Sequence, residues 1–233
     1  MKNWILPTLA AASLLAFPLI AQEGGKGGEK RDKPAPEKQE KKDEKKAETY
    51  KVGSKVDETL KLKDIDGKEL TFKDLQGKVV FIHFWSMTCP YEVAADPKVA
   101  ALEKRWAGKD VVVLAINANA TEIGATPPAD AAGYDKIREH LKKKELAMRV
   151  FVDHGNKLAD LFDAQSTPHC FVLDKKGVVV YTGGLDDDPN GNKGEATQQY
   201  VRDAVEATLE GKEVKVKTSK QYGCGIKRVR AGT

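Results

Sequence analysis

Val79-Val80-Phe81-Ile82-His83-Phe84-Trp85-Ser86-Met87-Thr88-Cys89-Pro90-Tyr91-Glu92 holds the transition that decides the fold. Val79 to Trp85 is nearly all apolar, the pattern of a strand at the centre of a sheet covered on both faces. Ser86 to Pro90 then leads into a helix expected to run to about Trp106. Cys89 therefore stands at the first turn of a helix. Unpaired backbone N–H groups and the positive end of the dipole favour thiolate over thiol there. Pro90 fits the start of a helix, because its missing N–H has no partner to lose. The bland alternative is a buried structural cysteine. Polar Ser86 and Thr88, and the strand-end position, favour a reactive one.

Outward from this unit, the chain alternates strands and helices. Thr59 to Asp64 and Glu69 to Phe72, with Asp66-Gly67 between, read as a hairpin, followed by a short turn at Asp74 to Gly77. Val93, Ala94, Val99, Leu102 and Trp106 are the expected buried stripe of the helix after Cys89. Val111 to Ile116 is a second buried strand, and Asn117 to Ala132 a long polar loop. A helix from about Gly133 to Lys144 presents Tyr134, Ile137 and Leu141 inward, and Met148 to Val152 is a strand. A short helical turn covers Leu158 to Phe162. Cys170 to Leu173 and Val178 to Tyr181 form a strand-turn-strand unit, and a last helix spans about Glu195 to Leu209. This order implies an α/β fold, a mixed central sheet flanked by helices.

The ends read differently. Lys2 and the apolar run from Trp4 to Ala21 resemble a secretory signal, with residues 1–21 removed. An uncleaved anchor is the alternative, although Pro7 and Pro18 interrupt a run barely long enough to span a bilayer. Either way the body leaves the cytosol, where disulfides persist. Residues 22–49 are charged and poor in large apolar side chains, as in a disordered linker. The folded domain is expected at 50–211, and 212–233 as a C-terminal tail carrying Cys224. The net charge of +4, from 39 basic and 35 acidic residues, does not suggest nucleic acid. The three cysteines, Cys89, Cys170 and Cys224, are too few for a disulfide-stapled scaffold, and an odd number cannot pair completely within one molecule.

Phe84-Trp85-Ser86-Met87-Thr88-Cys89-Pro90, then Thr167-Pro168-His169, then Phe171-Val172-Leu173-Asp174-Lys175-Lys176-Gly177, resemble the thioredoxin-like superfamily and its redoxin branch over roughly residues 50 to 225. That branch holds TlpA-like thiol oxidoreductases and peroxiredoxins. The resemblance puts the attacking cysteine at Cys89. It puts a cis-proline, which lies against the active sulfur and helps position the partner, at Pro168. It implies a thioredoxin-like sheet; the thiol chemistry itself needs no organic cofactor or metal. Two departures bear on activity. The oxidoreductases carry a second cysteine three residues after the first, where this chain has Glu92, so no local C-x-x-C disulfide can form. Cys-Pro-x-Glu is instead similar to the peroxiredoxin pattern, with Ser86 in the place of its Thr or Ser, but that family's proline four residues earlier is Ile82 here. Arg149 is a weak candidate for the peroxide-polarising arginine.

A resolving cysteine must then come from elsewhere. Gln221-Tyr222-Gly223-Cys224-Gly225 is the best candidate, since its glycines let the chain bend close to another surface. Relatives with a similar Cys-Pro motif often carry a Gly-Cys near the C-terminus, which points the same way; a free tail thiol is the alternative. Cys170 reads as a packed apolar residue and His83 as a core histidine. His169, beside Pro168, is a candidate to tune the thiolate or move a proton. Glu92 is a candidate proton relay whose negative charge would raise the thiol pKa. No metal-ligand spacing is present.

These residues support an exported thiol-based oxidoreductase of the periplasm or another envelope compartment. Cys89 attacks a disulfide or peroxide, Cys224 resolves the product, and a protein thiol serves as reductant. The rival reading is a non-enzymatic thioredoxin-like module that binds a partner or senses redox state. A weaker third reading makes the charged segment a surface adhesion arm.

Overall fold

The computed structural model describes residues 48–229. The signal segment and the linker up to residue 47 lie outside the described residues. The core is a seven-stranded mixed sheet. Strand β1 (Lys61–Asp64) and β2 (Glu69–Thr71) make the expected hairpin at one edge. β3 (Val79–Trp85) lies parallel to β4 (Val111–Asn117), and β4 parallel to β5 (Val150–Val152), which pairs antiparallel with β1. Across β3 lies antiparallel β7 (Cys170–Leu173), then β8 (Val179–Gly183), so the sheet order is β2-β1-β5-β4-β3-β7-β8. Between β5 and β7 the chain makes a two-residue strand outside this sheet, β6 (Ser166–Thr167).

Every residue of β3 is buried because both faces are covered. On one face Val79 and Phe81 pack with Ala95, Val99 and Leu102 of helix α1 (Pro90–Arg105) and with Val201, Ala204 and Val205 of the C-terminal helix at Tyr200–Leu209. Trp85 packs on that side with Ile123 and with Ile137 of the helix Asp135–Lys143. On the other face Val80, Ile82 and Phe84 meet Phe72, Leu75, Leu158, Ala159 and Phe162. Each such aliphatic or aromatic side chain contributes about 1.5–3 kcal/mol by leaving water. β3 is thus a rigid rod, and the loop at its C-terminal end is held from beneath.

Three expectations are corrected. The inward stripe of α1 is Glu92, Ala95, Asp96, Val99 and Leu102, with Trp106 beyond; Val93 is half-buried and Ala94 exposed. Helical spacing is kept, but two of the inward residues are acids with buried partners, which an apolar pattern does not find. The 117–132 loop contains a helical turn, α2 (Ala120–Ile123), and the helix after it, α3, starts only at Asp135, behind a 3-10 turn at Ala131–Tyr134. With Lys157–Leu161 as α4, the last helix is α5. It begins at Tyr200 rather than near Glu195, because Asp187 accepts the Gln198 N–H and holds the preceding chain out of the helix. After α5 the chain returns to the body. Its Cys224–Gly225 pair, β9, lies antiparallel to β6 with Thr167 opposite Cys224 and Ser166 opposite Gly225.

No helix among the described residues is long and apolar enough to cross a membrane.

Candidate active site

Cys89 is the N-cap of α1, and Pro90 is the first helical residue. The Cys89 side chain makes no capping bond. Its N–H donates to Ser86 Oγ at 3.1 Å, and its thiol donates to the Thr167 carbonyl at 3.0 Å. The thiol is 2% exposed. The Thr167–Pro168 peptide bond is cis. Pro168 follows the carbonyl that receives the thiol, so the two sequence-marked segments meet at Cys89.

β9 completes the arrangement. Cys224 stands opposite Thr167, whose carbonyl accepts the Cys89 thiol, so the tail cysteine is brought to the neighbourhood of Cys89. Partial burial and the Cys89 sulfur push the Cys224 thiol up to about 11. Both cysteines are free thiols in this structure, and Cys224 is the more exposed of the two. The tail is tied on both sides of Cys224. Before it, Ser219 N–H donates to Thr182 O, and Tyr222 OH donates to Asp186 Oδ1 at 3.1 Å. After it, Ile226 is buried among Phe84 and its neighbours and donates its N–H to Gln165 O. Lys227 N–H then donates to Asn119 Oδ1 at 2.9 Å, and Val229 N–H to Asn156 Oδ1 at 2.8 Å. Gly223 has φ +112°, and a Cβ there would overlap the Thr167 carbonyl. That position needs glycine, both for its backbone and for its closeness to β6.

Sequence reading missed Glu122. One of its carboxylate oxygens accepts from Ser86 Oγ and Thr88 Oγ1, each at 2.5 Å, and from Thr88 N–H at 3.2 Å. The other accepts from Asn117 Nδ2 at 2.6 Å and Met87 N–H at 3.2 Å. The whole 86–88 loop is thereby folded around one carboxylate on α2. Ser86, the residue marked beside the cysteine, bridges Glu122 to the Cys89 N–H.

Beneath the first turn of α1, Glu92 and His83 form a fully buried pair, with Glu92 Oε1 3.0 Å from His83 Nδ1. Burial pushes the Glu92 carboxyl well above its ordinary range and pulls His83 down to about 4. Burial thus disfavours the charged form of each partner, and the negative charge expected at Glu92 is disfavoured where it stands. Among the described residues, His83 Nε2 and Glu92 Oε2 have no hydrogen-bond partner. Nearby, Trp85 Nε1 donates to Asp96 Oδ1 at 3.0 Å.

The remaining candidates stand elsewhere. Cys170, opposite His83 in the sheet register, is fully buried; burial pushes its thiol well above the ordinary range, and it packs as a core residue. His169 accepts from Gln165 N–H at Nδ1 and donates from Nε2 to Thr182 Oγ1, against the Phe171 ring and without a partner in the thiol cluster. Arg149 pairs with Asp64 at 2.6 Å and lies over the Phe151 ring, so its guanidinium is engaged with the β1 hairpin. Among the described residues, no group of three or more His, Cys, Asp or Glu side chains is placed to hold a metal ion.

Comparison with known proteins points one way. Residues 51–200 match the family model described as Redoxin. The thiol-disulfide oxidoreductase ResA of Bacillus cereus is 30% identical over 117 residues, covering 50% of this chain and 61% of the relative. The chain spans about three fifths of the length of the curated relatives it matches. A hypothetical protein from Sinorhizobium meliloti shares the structure with a TM-score of 0.66 at 27% identity, over 79% of this chain and 97% of that one. An uncharacterized conserved protein from Geobacillus kaustophilus shares the fold with a TM-score of 0.66 at 24% identity, over 79% and 95% of the two chains.

Proposed function

The chain belongs to the redoxin family, and from that premise we propose that it is an extracytoplasmic thiol oxidoreductase whose redox couple is Cys89 and Cys224. The observation that carries this reading is the antiparallel pairing of Thr167 with Cys224, which brings the tail thiol to the helix-capping thiol. Glu92 fills the place of the usual second cysteine, so Cys224 supplies the missing partner from a different element.

In this reading Cys89, at the N-cap of α1, is the attacking sulfur. The two thiols give up two electrons and two protons to an acceptor and close to a Cys89–Cys224 disulfide. A disulfide acceptor does so through a mixed disulfide, and a peroxide through a sulfenic acid and water. Disulfide exchange is the preferred branch, because Arg149 is occupied by Asp64 and because the curated relatives are named for that activity. The envelope location rests on the signal-like residues 1–21. A protein thiol in that compartment would restore the reduced form.

The test is turnover of a disulfide reporter and of hydrogen peroxide, with dithiothreitol as reductant, for the wild type, Cys89→Ser and Cys224→Ser. Loss of turnover in Cys89→Ser is expected, together with a stalled mixed disulfide or sulfenic acid on Cys89 in Cys224→Ser. Wild-type rates in both variants would leave a partner-binding module as the better reading.

A further inference from the structure

The thiol at the helix end is the covered one. Cys89 is 2% exposed, while Cys224 is partly open to solvent. The cover is the chain itself: β9 lies over the site and is fastened upstream at Ser219 and Tyr222 and downstream at Ile226, Lys227 and Val229. Exposing Cys89 would mean pulling Ile226 from the core and breaking the hydrogen bonds on both flanks together. Reaching Cys224 disturbs none of them. Beside Cys224 stands Tyr91, 40% exposed, its ring 6.4 Å from that of Tyr222. An exposed aromatic next to an accessible sulfur is a surface that a protein partner can cover.

We propose that electrons enter the couple through Cys224: a partner protein dithiol attacks the Cys224 sulfur of the Cys89–Cys224 disulfide, and Cys89 leaves as thiolate. This rests on the function proposed above and names which sulfur the partner meets. In the first step the partner's thiolate bonds to Cys224 Sγ, the Sγ–Sγ bond breaks, and its electron pair goes to Cys89. The departing charge arrives at the N-terminus of a 16-residue helix, which suits a leaving thiolate. In the second step the partner's other thiolate attacks its own sulfur in the mixed disulfide, and Cys224 departs and takes a proton. With its thiol pushed up to about 11, Cys224 stays protonated at neutral pH and does not reverse the step. The sum is two electrons passed from the partner dithiol, which becomes a disulfide; of its two protons one ends on Cys224, and the other goes to solvent while Cys89 stays a thiolate or to Cys89 when it is protonated. Exposure thus reverses the roles that sequence position suggests for this half of the cycle: the helix cysteine is the leaving group, and the tail cysteine is the contact.

The test is a short pulse of glutathione on the oxidised full chain, an acid quench, alkylation of free thiols and peptide mapping. Glutathione on the Cys224 peptide, with the alkyl group on Cys89, is expected in at least about tenfold excess over the reverse at early times. A second measurement compares release of glutathione by dithiothreitol from Cys224 in Cys89→Ser and from Cys89 in Cys224→Ser. The first should be faster by a similar factor. Glutathione mainly on Cys89, or equal release rates, overturns the inference and leaves the redox couple standing. If the oxidised protein holds no Cys89–Cys224 bond, the proposed function falls and this inference with it.

Discussion

At the scale of single residues, the surroundings of the proposed nucleophile Cys89 are fixed by one remote carboxylate. Ser86 and Thr88 are legible in sequence as polar neighbours of Cys89. What holds them is not, because Glu122 stands 36 residues from Ser86 on a helical turn inside an apparent loop. Replacing Glu122 by Gln keeps the size and exchanges an acceptor for a donor beside two hydroxyls and two N–H groups. The 86–88 loop then shifts, and a displaced nucleophile of this kind costs about 10- to 100-fold in rate. Stopped-flow reaction of reduced Glu122→Gln with a disulfide reagent should show that loss, with thermal stability changed far less. A wild-type rate would show that the loop holds its shape without the carboxylate. Glu92 teaches the converse. Its place in the motif is legible, but its charge state is set by burial against His83, which no spacing reveals.

At the scale of elements, the site is the meeting of α1, β6 and β9. The first two announce themselves locally: an apolar strand ending in Ser-x-x-Cys-Pro, and Thr-Pro-His ahead of another strand. β9 is two residues long and pairs with another two-residue strand far away in sequence, so no periodicity marks it. The glycines around Cys224, and the Gly-Cys that similar relatives carry near the C-terminus, were the signals that the tail could come close. Those glycines give the test of this element. A Cβ at residue 223 meets the Thr167 carbonyl, so Gly223→Ala should lift β9 from β6. Strain at a positive φ together with lost packing costs about 1–3 kcal/mol. Urea unfolding should show that loss, and in the same variant Cys89 should become alkylatable at least about tenfold faster while oxidation yields less Cys89–Cys224 bond. Unchanged alkylation of Cys89 would mean that β9 is not its cover. The inward stripe of α1 was legible in spacing but misread in identity, because Glu92 and Asp96 occupy apolar-looking positions through His83 and Trp85.

At the scale of the whole molecule, the sheet with its covered faces was the most legible feature. β3 and β4 read as continuous apolar runs, and the hairpins carry their turn residues. What composition conceals is the number of ionisable groups folded into that interior. His169 illustrates the consequence. Burial pulls it down to about 4 from 6.5, and its Nδ1 is already occupied by the Gln165 N–H. Its folded pKa is depressed, so its share of stability is present above pH 6.5 and is lost as pH falls toward 4, where the unfolded chain takes a proton that the folded one refuses. The full loss for a shift of this size is about 3 kcal/mol. His169→Gln should therefore flatten the decline in urea-unfolding stability between pH 7 and pH 4, whatever its effect at pH 7. A parallel decline in the variant would place the acid sensitivity in other groups.

Cys89 and Cys224, on two distant elements, are proposed to act as one redox couple. Mass spectrometry of the full chain, acid-quenched and alkylated, before and after limiting oxidant and again after dithiothreitol, tests this. Two alkylatable thiols at Cys89 and Cys224 are expected in the reduced protein, a single Cys89–Cys224 crosslinked peptide on oxidation, and its loss on reduction, with Cys170 unmodified throughout the folded states. A Cys89 that stays alkylatable after oxidant, or a bond that persists in every state, would contradict it.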